Sequence, residues 1–334
     1  MPDLLAHYLV AADAKARLAN GRLADVLQAE GDAFKVGAQG PDFFFYSHVW
    51  PGRATRGDLA FLVHQNHMSG VFGAMLGRAV AAPEEERAVI TAFTCGYAAH
   101  LCLDAGAHPW ILYWTGDVSA GVDSGEGAAA RRRHGVLEAS IDLTLSRRPA
   151  PDSGWIRRQR LLAMSPRQRR VLAKLWSQVM SEVFGVAFTA AEGRAAFRDM
   201  AFVYGSMTDR HSPLSRLLTA LAPVIDGNGL LRTQIFPDAP HPTAAALLAG
   251  RRPWRSPAVP EEERTETFAD ILEAATGQAH ACLEAVQDVV FGGGELEAAL
   301  SVIGDRNMIT GVPCGDPRPL VAFAPSLDQL WQMS

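Results

Sequence analysis

The sequence is poor in cysteine. Cys95, Cys102, Cys282 and Cys314 are scattered through 334 residues, too few for a disulfide framework, and a reducing, cytoplasmic setting is expected. There is no basic excess: 31 Lys and Arg stand against 36 Asp and Glu, a net charge of −5 that gives no signal for polyanion binding. No apolar run reaches the ~18–20 residues of a membrane span, so no transmembrane segment is expected. The stretch Met1-Pro2-Asp3-Leu4-Leu5 lacks a basic region followed by an apolar one, and no secretory signal is expected. Internal repeats, a Gly-x-Ser-x-Gly elbow and a Cys-x-x-Cys pair are all missing, and alternating strand patterns are nearly absent.

What remains is helical. Hydrophobic residues make up 48% and charged residues 20%, ordinary globular values with enough apolar material for a sizeable core. Apolar periodicity predicts helices over 4–18, 22–30, 58–80, 84–105, 127–146, 167–184, 190–208, 213–225 and 267–291, with a short one over 295–302. Pro83 before three glutamates, and Ser165-Pro166, are start signals. Gly/Pro/Asp-rich loops fall at 115–126, 147–154, 226–229, 237–242 and 251–260. The expected architecture is all-α: one multi-helix domain over 1–334, with motifs in 1–142 and a helical C-terminal part over 155–334.

The histidines are skewed. Seven of ten lie before residue 135: His7, His48, His64, His67, His100, His108 and His134. His100 and Asp104 are i, i+4 and share a helix face, and His108 follows four later, where Gly106 and Pro109 are expected to end the helix. His134 and Glu138 form a second i, i+4 pair. Imidazole nitrogen together with carboxylate oxygen suits Zn²⁺, and ligands one turn apart can bind one ion. Upstream, Asp42 stands in a Gly/Pro-shaped turn beside Phe43, Phe44, Phe45 and Tyr46, where a carboxylate needs a cation or strong donors. His64 and His67 share the 58–80 segment, and His7 lies among Leu4, Leu5, Leu9 and Val10.

These stretches resemble the zinc-dependent phospholipase C family, whose α-helical fold is shared with the P1/S1 single-strand nucleases. The resemblance is carried by 1–7, 37–46, His64, 96–109 and 134–142, with later echoes at 252–257 and 310–313. The resemblance is especially to the signal-less bacterial branch, not to the secreted toxins. It implies two or three zinc ions in a cleft between helices. Asp42, His64, His100 and Asp104 would hold one ion, and His108, His134 and Glu138 a second. Asp104 would bridge to a third, shared with His7 and the N-terminal amino and carbonyl groups. His64 is preferred over His67 by its distance to Phe72. The sequence departs from the secreted relatives in having Met1-Pro2 in place of an N-terminal tryptophan, and three residues, not five, between Asp104 and His108. Removal of Met1 would leave the Pro2 imino group five residues before His7.

The resemblance implies attack on phosphorus by water, with Asp42 orienting or deprotonating it. Phe43, Tyr46 and their neighbours either wall the cleft for an acyl-glycerol, a base or a choline head, or belong to the core. His48 is a candidate ligand or substrate contact. Arg157, Arg158, Arg160, Arg167, Arg169 and Arg170, with 131–133, either meet phosphates or an anionic membrane surface, or form a solvated, salt-bridged face. Three readings follow. The first is a phospholipase C-type phosphodiesterase acting on a phospholipid or related phosphodiester, with peripheral membrane contact. The second is a P1-like nuclease, disfavoured by the acidic charge. The third is a metal-stabilised binding protein without catalysis.

Overall fold

The computed structural model describes residues 4–47, 56–118, 120, 125–146, 161–207, 216, 217, 220 and 239–331. The N-terminal helices are α1 (Leu4–Ala16), α2 (Arg22–Ala29) and α3 (Gly31–Gly37), followed by a 3-10 turn at Asp42–Tyr46. Next come α4 (Asp58–Gln65), α5 (Met68–Ala81), α6 (Glu84–Thr115) and α7 (Gly125–Leu145). The rest comprises α8 (Pro166–Phe184), α9 (Ala190–Met207), α10 (Pro242–Ala249), α11 (Phe268–Gln287), α12 (Leu296–Ile303) and α13 (Leu327–Trp331). Among the described residues the fold is all-α apart from one antiparallel hairpin, β1 (Trp254–Ser256) with β2 (Val259–Arg264).

The spine is α6. Three glutamates in its first turn complement the positive helix N-terminus, and from Val89 onward nearly every side chain is buried. It packs against α1, α3, α5, α7, α8 and α11. Among the described residues it is the one helix long and apolar enough to cross a membrane, but 94% of its apolar window is buried inside the protein. Gly96 lets α3 lie directly on it: a Cβ there would stand 2.2 Å from the Phe34 carbonyl oxygen. That contact brings the turn after α3, and with it Asp42, onto the middle of α6. At the starts of α8 and α11, Ser165 with Gln168 and Thr267 with Asp270 form capping boxes.

Four sequence expectations are corrected. The predicted 58–80 helix is two helices, because His67 adopts a left-handed backbone (φ 58°) and Asn66 is extended. The helix from Glu84 does not stop near Gly106 or Pro109 but continues to Thr115. Pro109 removes one hydrogen bond, to the Ala105 carbonyl, and the flanking turns are almost entirely buried; packing outweighs a cost of about 3 kcal/mol. The loop predicted over 251–260 contains β1 and the start of β2, with Arg264 stacked 4.4 Å over the Trp254 ring. The C-terminal part is therefore not purely helical. Most of the predicted 213–225 helix, the 226–229 loop, and Arg157, Arg158 and Arg160 lie outside the described residues.

Candidate metal centre

Because α6 runs through Pro109, His100, Asp104 and His108 fall at i, i+4 and i+8 on one face. Asp104 is the hub. Its Oδ2 lies 3.0 Å from His100 Nε2 and 3.8 Å from His64 Nε2, and its Oδ1 lies 3.2 Å from His7 Nε2. His108 Nδ1 is 3.5 Å from the same Oδ1. Asp42, on the 3-10 turn, reaches His64 Nε2 with Oδ1 at 3.1 Å. On α7, His134 Nε2 is 2.9 Å from Glu138 Oε1, and the His134 ring stacks on His108 at 5.5 Å between centroids. The His7 and His100 rings stack at 4.2 Å. Three sets have ligand atoms within 4.8 Å of one another: His7, His100 and Asp104; Asp42, His64 and His100; and His108, His134 and Glu138.

Neighbouring carbonyls fix the rings. His64 Nδ1 donates to the Ala60 carbonyl at 2.6 Å, His100 Nδ1 to Ala38 at 3.3 Å and His108 Nδ1 to Met308 at 2.8 Å. Each bond selects the tautomer whose Nε2 carries a lone pair, and each Nε2 faces the centre. Among the described residues, completely buried His100 Nε2 has no partner other than the Asp104 carboxylate oxygen 3.0 Å away. Two acceptors held face to face in a dry site need a cation between them. Asp42, Asp104 and Glu138 are 2–3% exposed, and among the described residues no Lys or Arg pairs with them. Three buried carboxylates ringed by imidazoles are a donor set that fits Zn²⁺.

The electrostatics agree. Burial alone would lower the pKa of His64, but its hydrogen bond to Asp42 and the charges of Asp42 and Asp104 raise it above the ordinary value. Burial alone would raise that of Asp104, but the surrounding His100, His108 and His7 hold it well below the usual carboxylate range. Positive charge is favoured at His64 and negative charge at Asp104, the condition under which a proton or a metal ion binds between them.

Other candidates fall differently. His67 is exposed and turned towards Phe184, away from the cluster that holds His64. Phe43 does not wall a cleft: it is fully buried, stacked on Phe197 and packed on Phe44 and Trp176. Tyr46 is buried against Tyr204. The aromatic pair that does border the site is Phe45, 5.6 Å from the His64 ring, with Phe61, 51% exposed, edge-on to it. His48 lies outside the described residues. In the arginine stretch, Arg167 pairs with Glu30; nearer the site, Arg133 is buried against Glu126 and Asp328.

Two supporting residues escaped the sequence reading. Asp142, completely buried, accepts the Leu5 and Ala6 backbone N–H groups at 3.0 Å each, neutralising the start of α1 and pinning His7 against α7. Its spacing, four residues beyond Glu138, was the available signal. Gly40 is left-handed (φ 51°), and a Cβ there would stand 2.2 Å from His100 Cδ2 and 2.6 Å from Nε2. Gly40→Ala is expected to displace the His100 ring and lower bound zinc by at least one ion per chain. Gly57→Ala, with open space around it, is the control. Equal zinc in the two variants, by elemental analysis, would remove Gly40 from the site.

Residues 6–188 match the model of the family described as zinc dependent phospholipase C. No curated protein and no solved structure gives a match. The match spans more than half of the sequence and every imidazole and carboxylate gathered around Asp104, and on that ground the chain belongs to the zinc-dependent phospholipase C family.

Proposed function

We propose that the chain is a zinc-dependent phosphodiester hydrolase of phospholipase C type, acting on a phospholipid or a related phosphodiester. The observation that carries this reading is the trio of buried carboxylates, Asp42, Asp104 and Glu138, facing inward-turned imidazole nitrogens and unpaired with Lys or Arg among the described residues. Asp42, His64, His100 and Asp104 would hold one zinc, His108, His134 and Glu138 a second, and His7 with Asp104 would contribute to a third. When bound, zinc lowers the pKa of water to about 7 and neutralises charge on phosphoryl oxygens.

The protein's own groups supply the rest. Asp42 is held beside His64 by a turn whose rings are packed in the core, so its free carboxylate oxygen keeps a fixed place from which to orient water and accept a proton. Asp104 spreads one carboxylate over two clusters and sets their spacing. Phe45 and the half-exposed Phe61, beside His64, offer an apolar surface for a lipid part or a cationic head.

The test is one preparation, measured for zinc and then assayed on phosphatidylcholine, a chromogenic phosphodiester and single-stranded DNA. Two to three zinc ions per chain and turnover of the first two substrates are expected. Less than one zinc per chain overturns the metal reading. Full zinc with no turnover on any of the three shifts the assignment to a metal-stabilised binding protein.

A further inference from the structure

The turn between α12 and Cys314 lies outside the part of the chain that matches the family, yet it touches two ligand-bearing helices at once. Met308 is completely buried. Its N–H donates to the carbonyl of His64 at 2.8 Å, and its own carbonyl accepts the Nδ1–H of His108 at 2.8 Å. The first bond satisfies a carbonyl left over at the C-terminal end of α4. The second fixes which nitrogen of His108 carries the proton. One peptide residue thus ties together histidines from two different clusters.

The turn that presents Met308 is tightly built. Asn307 Oδ1 accepts the N–H groups of Ile309 at 2.8 Å and Thr310 at 3.2 Å. Asn307 N–H donates to the Val312 carbonyl and Gly311 N–H to the Asn307 carbonyl, both at 2.8 Å. Upstream, Asp305 Oδ1 accepts the Ser69 N–H at 3.0 Å, anchoring the segment to α5. Gly311 is left-handed (φ 73°), and a Cβ there would stand 2.5 Å from the Ala105 carbonyl oxygen and 3.1 Å from Pro109 Cγ. The carbonyl freed by Pro109 is therefore the surface on which this turn is seated.

We infer that the Asn307–Gly311 turn is a positioning element of the metal centre: through the Met308 backbone it sets the His108 tautomer and holds His64 and His108 in register. This rests on the zinc reading above. The general cost of losing such an outer partner is about 10–100-fold in metal affinity. A turn that merely filled space would leave zinc affinity unchanged.

Asn307→Ala removes the acceptor that shapes the turn, whereas Asn307→Asp keeps a carboxylate oxygen in its place. Gly311→Ala pushes the turn off α6, and Gly315→Ala is its control, a left-handed glycine (φ 80°) with nothing within 4 Å. Zinc retention is read by elemental analysis after dialysis against graded chelator, and site symmetry by the visible spectrum of the cobalt(II)-loaded protein. Helical content by circular dichroism checks the fold. Asn307→Ala is expected to lose about one zinc per chain at ~10–100-fold lower chelator than wild type, with wild-type helical content and an altered cobalt spectrum. Gly311→Ala should follow it, and Asn307→Asp and Gly315→Ala should resemble wild type. Asn307→Ala retaining zinc and cobalt spectrum like wild type overturns the inference while leaving the zinc reading intact. Loss of zinc in Gly315→Ala equal to that in Gly311→Ala also overturns it. A wild-type chain without zinc overturns both.

Discussion

Asp104→Asn is expected to remove more than one zinc ion per chain and to lower phosphodiesterase turnover by well over the ~10–100-fold that outer-partner changes cost. Asp104 reaches His7 and His100 with its two oxygens at 3.2 and 3.0 Å and lies within 3.8 Å of His64. An amide changes both halves of this arrangement. It deletes one of the three carboxylates buried among the clustered imidazoles, and its NH₂ group donates to whichever imidazole nitrogen it faces. The cluster then satisfies itself by hydrogen bonds and no longer needs a cation. Thermal unfolding with and without added zinc gives the independent reading. Wild type should gain stability from zinc by mass action, and Asp104→Asn should gain much less. Full metal and activity in Asp104→Asn, with loss of both in His100→Ala, would show that Asp104 does not bridge.

The second large effect is expected at Asp42, and it should separate turnover from structure. The turn bearing Asp42 is held by the rings that follow it: Phe43 and Phe44 are completely buried among Trp176, Phe188 and Phe197. Burying such a ring contributes about 1.5–3 kcal/mol, more than the ~1 kcal/mol net of a single hydrogen bond. Asn can donate its amide N–H to the His64 Nε2 lone pair and leaves those rings untouched. Asp42→Asn should therefore retain helical content and retain more metal than His134→Ala, because His108, His134 and Glu138 form a set without Asp42. An amide cannot accept a proton from water, so turnover of a chromogenic phosphodiester should collapse. Unchanged turnover would make Asp42 structural and move the search for a base towards His48.

Much of this was legible in the sequence because helical spacing is a local property. His100, Asp104 and His108, like His134 and Glu138, share a face wherever the segment is helical, and the chemistry of the side chains did the rest. The misreadings share a different cause. Pro109 is a helix breaker only where nothing else holds the next turn, and what holds it is packing from distant helices. His67 breaks a periodic stretch through one backbone angle that apolar spacing does not register. Phe43 and Phe45 are neighbours in an aromatic run, and only the approach of α8 and α9 decides that the first is core while the second borders the site. Gly40 owes its importance to a ring 60 positions later, and Met308 acts through its backbone, which is the same in almost every residue.

That last contact orders events in time. His108 and the carbonyl that fixes its tautomer are 200 residues apart in the chain. At ~5–20 residues per second on the ribosome, roughly 10–40 s pass between the synthesis of the imidazole and that of its partner. During that interval a nascent chain already carries His7, Asp42, His64, His100, Asp104 and His108, with the His108 ring free to present either nitrogen. On the zinc reading, metal captured then would meet a looser set of ligands than the finished protein offers. If the Met308 turn positions the ligands as inferred, final affinity is reached only when the 305–314 segment has been made and seated against α6.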